Sequence, residues 1–168
     1  MKSWINQIFV ALYKLEWVKK QWATSFKTDV TEGNPFAPAP ASLSQIKLAL
    51  ISTGGSHHRE DQPFDMENVD GDGTCRSFPH DLSPEELTIT HNYYDHRSAD
   101  QDINCVVPLQ PLKNAVQAGK IGSAASEVYS LMGHIQNQPL EHLKRVTIPN
   151  MIQRLKQEGV TACLVSPA

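Results

Sequence analysis

The sequence predicts a small α/β domain, a doubly wound parallel sheet with an amphipathic helix ahead of it. Three observations predict this. Ile46-Lys47-Leu48-Ala49-Leu50-Ile51-Ser52 is nearly continuous in apolar residues and breaks into the glycine turn Thr53-Gly54-Gly55-Ser56, as a buried strand of a parallel sheet does. The stretch from Leu140 to Glu158 carries Leu143, Val146, Ile148, Met151, Ile152 and Leu155 in a helical pattern. After Gly159, Val160 to Val165 forms another apolar strand. Strand, helix and strand in alternation imply a flavodoxin-like three-layer arrangement.

The elements follow in order. Residues 1–24 place Trp4, Ile5, Ile8, Phe9, Leu12, Leu15 and Trp22 near one helical face, while Lys14, Glu16, Lys19 and Lys20 interrupt the run before it reaches membrane-spanning length. The segment reads as an amphipathic helix docked on the domain or on a partner; a helix lying on a membrane surface is the minority reading. Residues 25–45 contain Pro35, Pro38 and Pro40 and form an extended linker. The domain proper occupies residues 46–168. Within it, residues 56–84 make a long loop, the kind that is functional or disordered in a compact domain. Leu87 to Thr90 is a second, short strand. Pro111 to Ala118 is a helix ended by Gly119, residues 121–132 fit a helix or a strand, and Pro149 kinks or starts the last helix.

Composition narrows the function classes. The chain has 168 residues, 40% apolar and 20% charged, with net charge -3, which suits a globular protein. The absence of a basic block argues against a nucleic-acid partner. Cys75, Cys105 and Cys163 form no CxxC pair. Their odd number, without a signal-peptide pattern, fits a reducing cytoplasm. Cys163, inside an apolar run, reads as a small core residue.

In such a sheet, ligands sit beyond the carboxyl ends of the strands. Those ends are Ser52 to Gly55, His91 and its neighbours, and Ser166 to Ala168, so these segments should converge on one crevice. The loop HNYYDHRSADQDIN, His91 to Asn104, concentrates the polar chemistry. His91, Asp95 and His96 are the candidate catalytic residues, since a histidine moves protons near neutral pH and a carboxylate fixes its tautomer. The other reading is a polar loop that bonds itself, with Asp100, Asp102 and Asn104 as turn formers and caps. Thr53, Gly54, Gly55, His57, Arg76 and Tyr94 are the candidate substrate-binding residues. The glycine turn would offer amides to an anion and Arg76 a fork of donors to a carboxylate. An alternative metal set is His58, His91, Asp95 and His96. HxxxDH is similar to the HxHxDH motif of metallo-β-lactamase-like hydrolases, but Tyr93 stands where that motif has its central histidine. Asp70-Gly71-Asp72-Gly73 lacks a closing glutamate at calcium-loop spacing and reads as a tight turn.

Four stretches in one order, LALISTGGSHHREDQPFDMENVDGDGTCRSFP, LTITHNYYDHRSADQDINCVVPLQPL, GKIGSAASEVYSLMGHI and MIQRLKQEGVTACLVSPA, resemble selenoprotein B of the glycine/sarcosine/betaine reductase family, which is related to D-proline reductase. The resemblance runs from residue 46 to 168. It implies an oxidoreductase component for reductive C–N cleavage of a small amine or amino acid, working with other reductase-complex subunits. It also implies no cofactor in this chain and a redox selenocysteine or cysteine directly after the strand ending at Ala168. None of the three cysteines holds that position. The expectation is a chain cut short at a selenocysteine codon, or a short homologue. An incomplete sheet should expose apolar surface and favour a partner or self-association into a homo-oligomer. The alternatives are a metal-dependent hydrolase-like domain and a non-catalytic module that binds a small carboxylate or a partner.

Overall fold

The computed structural model describes residues 15–25, 37–38 and 42–168, which belong to two compact units, residues 1–39 and 40–168. In the first unit, α1 (Glu16–Ser25) is a helix with Trp17 exposed. The rest of the expected amphipathic helix, residues 1–14, and most of the proline-rich linker lie outside the described residues. Among the described residues no helix is long and apolar enough to cross a membrane.

The second unit runs, in chain order, β1 (Lys47–Ser52), β2 (Ser56–His58), β3 (Arg76–Pro79), β4 (Leu87–Ile89), α2 (Arg97–Gln101), α3 (Leu109–Gln117), β5 (Ser123–Ala124), β6 (Glu127–Ser130), α4 (Asn137–His142), α5 (Ile148–Gln157) and β7 (Ala162–Ser166). The main sheet is mostly parallel, with β1 at its centre. On one side β1 pairs with β7 along five residues, from Leu48↔Ala162 to Ser52↔Ser166. On the other it takes β5 and then β6, both parallel. β3 adds antiparallel to the outer side of β6. β2 and β4 form a separate antiparallel pair.

The apolar run of β1 is explained by burial on both faces. Leu48 and Leu50 belong to a core with Val106, Val107, Leu109 and Leu112. Ala49 packs with Tyr129, Met151 and Leu155 in a second core. The sheet therefore lies between α3 and α5, the three-layer arrangement expected from the alternation of elements. The ambiguous residues 121–132 become β5 and β6 because β1 offers their backbones a pairing edge. Gly122 permits the approach, since a Cβ there would lie 2.7 Å from the Ser44 carbonyl oxygen.

The long helical pattern is continuous but not uniform. α4 passes through a π-helical stretch, Leu143–Thr147, into α5. Pro149 has no amide to donate and its ring crowds the carbonyl one turn back, which widens the preceding turn. Thr147 Oγ1 uses the bulge to donate to the Gly73 carbonyl at 2.7 Å.

Cys163 departs from expectation. β7 pairs only with β1 among the described residues, so Cys163 is exposed rather than buried. Leu164 is 47% and Val165 55% exposed, on opposite faces of the strand.

Candidate active site

The carboxyl ends of β1, β6 and β7 meet at Thr53. Its amide donates to the Ser166 carbonyl at 3.1 Å, and its hydroxyl accepts from the Ala168 amide at 3.2 Å. The Gly55 amide donates to the Leu131 carbonyl at 3.0 Å, and the Gly54 amide to Ser52 Oγ at 3.1 Å. The expected convergence is present, with a correction: the turn amides expected to face an anion are spent inside the sheet. Gly55 holds φ +67, and a Cβ there would lie 2.8 Å from the Thr90 carbonyl oxygen, so the turn and the His91 strand close on each other only through glycine.

That contact carries the histidine loop. The Thr90 amide donates to the Gly55 carbonyl at 2.9 Å. His57, 1% exposed, sits beneath it. His57 Nδ1 donates to the His58 carbonyl at 2.7 Å, so Nε2 accepts from the Thr90 hydroxyl at 2.8 Å. Both ring nitrogens are used, and the ring packs edge-on to Phe64. His57 therefore spends both ring nitrogens on holding Thr90, the residue before His91.

His91 is 4% exposed, with Tyr93 and Tyr94 set edge-on to its ring at centroid distances of 5.9 and 5.0 Å. Burial, with His134 and His96 nearby, pushes its imidazole down to about 4, so it is neutral at pH 7. Tyr94 donates its hydroxyl to the Gly54 carbonyl at 3.0 Å, and burial, with Asp100 nearby, pushes its phenol up to about 12. The Tyr93 ring lies 4.3 Å from the His134 ring, tilted by 30°.

Asp95 and His96 part company. Asp95 Oδ1 accepts from Arg97 Nε at 2.8 Å. His96, the residue before α2, instead directs Nδ1 to Asp100 Oδ2 at 2.7 Å. Its ring meets Tyr94 edge-on at 5.6 Å. The carboxylate that fixes the histidine tautomer is thus Asp100, read from sequence as a cap. The missed signal was the i,i+4 spacing that a helix turns into contact.

Arg76 lies opposite Ser130, at the same end of the sheet, but its fork is occupied. Nε donates to the Gln62 carbonyl at 2.7 Å, one terminal nitrogen to Thr74 Oγ1 at 2.6 Å and the other to the Pro63 carbonyl at 3.0 Å. The guanidinium also stands 4.4 Å over the Phe64 ring. Burial would raise the Asp72 carboxyl, but hydrogen bonds from Thr74 and the Asp65 amide, with Arg76, hold it below its usual value. Arg76 pins the long loop, and that leaves its expected carboxylate clamp without free donors.

The alternative metal set is likewise not assembled. Among the described residues no three His, Cys, Asp or Glu side chains are grouped to hold an ion. His58 Nε2 faces Glu86 at 3.9 Å, while His91, Asp95 and His96 each take different partners.

Residues 8–167 match the family described as glycine/sarcosine/betaine reductase selenoprotein B. The chain belongs to this selenoprotein B family. The match begins well before the resemblance read from the sequence and takes in the N-terminal segment and the linker. The chain is 29% identical over 137 residues to D-proline reductase subunit gamma of Acetoanaerobium sticklandii, covering 82% of this chain and 54% of that one. It is 25% identical over 122 residues to sarcosine reductase complex component B subunit beta of Peptoclostridium acidaminophilum, covering 68% of this chain and 27% of the relative. This selenoprotein B family member thus spans about half the length of the first relative and about a quarter of the second. No solved structure matches it.

Proposed function

We propose that the chain is an oxidoreductase component of a multi-subunit, cytoplasmic reductase that takes a small amine or amino acid at the carboxyl end of its sheet for reductive C–N bond cleavage. The observation that carries this is the junction at Thr53, where the ends of β1 and β7 meet beside the His91–His96 loop in a chain of this family. Its relatives, subunits of D-proline and sarcosine reductases, support this substrate class.

A selenol or thiol beside the end of β7 would supply the nucleophile that displaces nitrogen from carbon. The residues of this chain do the rest. His96 keeps its Nδ1 proton on Asp100, which leaves Nε2 to exchange a proton with the departing amine. Tyr93 and Tyr94 supply aromatic surface of the kind that attracts an ammonium group. His91, neutral and buried, orders this loop against the glycine turn.

The test is reconstitution with the partner subunits of a D-proline or sarcosine reductase, followed by measurement of substrate-dependent C–N cleavage. The reading predicts loss of turnover when this chain is omitted and a large fall in kcat with His96→Gln. Full activity without the chain overturns it.

A further inference from the structure

Two backbone amides aim at the two nitrogens of one buried imidazole. The Tyr93 amide points at His91 Nδ1 at 3.1 Å, and the Gly133 amide at His91 Nε2 at 3.0 Å. A neutral imidazole accepts at one nitrogen and carries its proton on the other. Whichever nitrogen is protonated therefore confronts an N–H with an N–H. The doubly protonated ring would face both amides wrongly, and the ring is 4% exposed, too buried for water to relieve the conflict.

The two amides belong to different parts of the site. Tyr93 lies on the loop before α2, and Gly133 on the turn after β6. Gly133 leaves little slack, since a Cβ there would lie 3.2 Å from His91 Nε2 and 3.3 Å from the Thr53 carbonyl oxygen. Each amide is next to, or part of, a residue of one stacked ring pair, Tyr93 on His134. His134 is tied in turn to the long loop by Nε2 and the Val69 carbonyl at 3.2 Å.

We propose that His91 is a two-position latch: its single ring proton lets it hold either the Tyr93 amide or the Gly133 amide, and the Tyr93–His134 pair loosens on the side that is released. The titratable side chains around the ring are His134 from the turn after β6, His96 at the start of α2, Tyr93 and Tyr94 on its own loop, and His57 below Thr90. His134 and His96 both act on the ring against taking a second proton. The neutral ring changes hands between two acceptor states of similar geometry. The loop and the turn that it holds flank Thr53 and Gly54, so the two latch positions differ in how they hold the walls of the proposed site. It rests on that reading for its purpose only.

The test is nitrogen NMR of the His91 ring in the full chain near pH 7, with exchange rates of the Tyr93 and Gly133 amides. The latch predicts that both ring nitrogens resonate between their protonated and unprotonated positions, and that the two amides show comparable, partial protection. One nitrogen fully protonated and the other fully bare, with a single amide protected, overturns it. The measurement needs no substrate or partner, so failure of the latch leaves the reductase reading standing, and loss of that reading leaves the latch testable.

Discussion

His96 Nδ1 lies 2.7 Å from Asp100 Oδ2, one helical turn further along the chain. Both side chains are partly exposed, and an exposed pair of this kind adds little to stability, about 0.3–0.5 kcal/mol. Its value is orientation: the carboxylate fixes which nitrogen of His96 carries the proton.

Asp100→Asn should therefore leave folding intact and lower kcat in the assembled reductase, with KM nearly unchanged. His96→Gln should cost on the order of 10²-fold in kcat, the low end for a positioned acid or base. Asp95→Asn should have little effect on turnover. Equal effects of Asp95→Asn and Asp100→Asn in steady-state kinetics would remove the orienting role from Asp100.

Two glycines separate backbone conformation from crowding. Gly55 and Gly119 both hold φ +67, but a Cβ on Gly55 would meet the Thr90 carbonyl oxygen at 2.8 Å and His91 Cβ at 2.9 Å, whereas nothing lies within 4 Å of one on Gly119. Gly119→Ala should cost only the left-handed backbone penalty, about 1–2 kcal/mol. Gly55→Ala should cost clearly more and also disturb the His91 loop. Urea denaturation of both variants checks the ordering, and equal midpoints would show that the turn yields without strain.

What the sequence made legible was what local pattern decides. β1 and α5 announce themselves because continuous or periodic apolar residues leave few other arrangements. The meeting of strand ends at Thr53 followed from the parallel order alone. The remainder depended on choices made elsewhere in the chain. Residues 123–130 are strands because β1 offers an edge, which no local spacing reveals. Arg76 looked free because its partners at Gln62, Pro63 and Thr74 are mostly backbone carbonyls and a hydroxyl, silent in a charge count. Asp95 adjoins His96 in sequence, yet the helix brings Asp100 to the ring.

Arg76 supplies a separate test between pinning and clamping. Arg76→Lys keeps the charge but cannot reach several carbonyls at once or reproduce the stack on Phe64. It should lower stability by about 1–3 kcal/mol and speed proteolysis within residues 59–75, with KM unchanged in the assembled enzyme. A stable variant with a sharply raised KM would restore the carboxylate clamp.

His91 gives stability a pH dependence of known sign. Its folded-state value, about 4, lies below the ordinary 6.5. Between those values the unfolded chain binds a proton that the folded chain refuses. The contribution is fully present above about pH 6.5 and is lost as pH falls toward 4, with a slope of up to about 1.4 kcal/mol per pH unit. His91→Gln should flatten that slope in urea titrations between pH 7 and 4. An unchanged slope would assign the acid sensitivity to other groups.

The cysteines should differ in reactivity by their surroundings. Burial pushes the Cys75 thiol up to about 11, which leaves on the order of 10⁻³ of it as thiolate at pH 8, and the thiolate is the species that alkylates. Cys75 also directs its sulfur to the Arg76 carbonyl at 3.2 Å. Burial raises the Cys163 thiol as well, although the residue is exposed at the sheet edge. Cys105 is exposed. Brief treatment of the native chain with iodoacetamide, followed by peptide mass spectrometry, should label Cys105 first, Cys163 more slowly and Cys75 last. Covering the outer edge of β7 with a partner subunit should slow Cys163 alone. Early labelling of Cys75 would mean that β3 and the long loop open readily, and would contradict the pinning of that loop by Arg76.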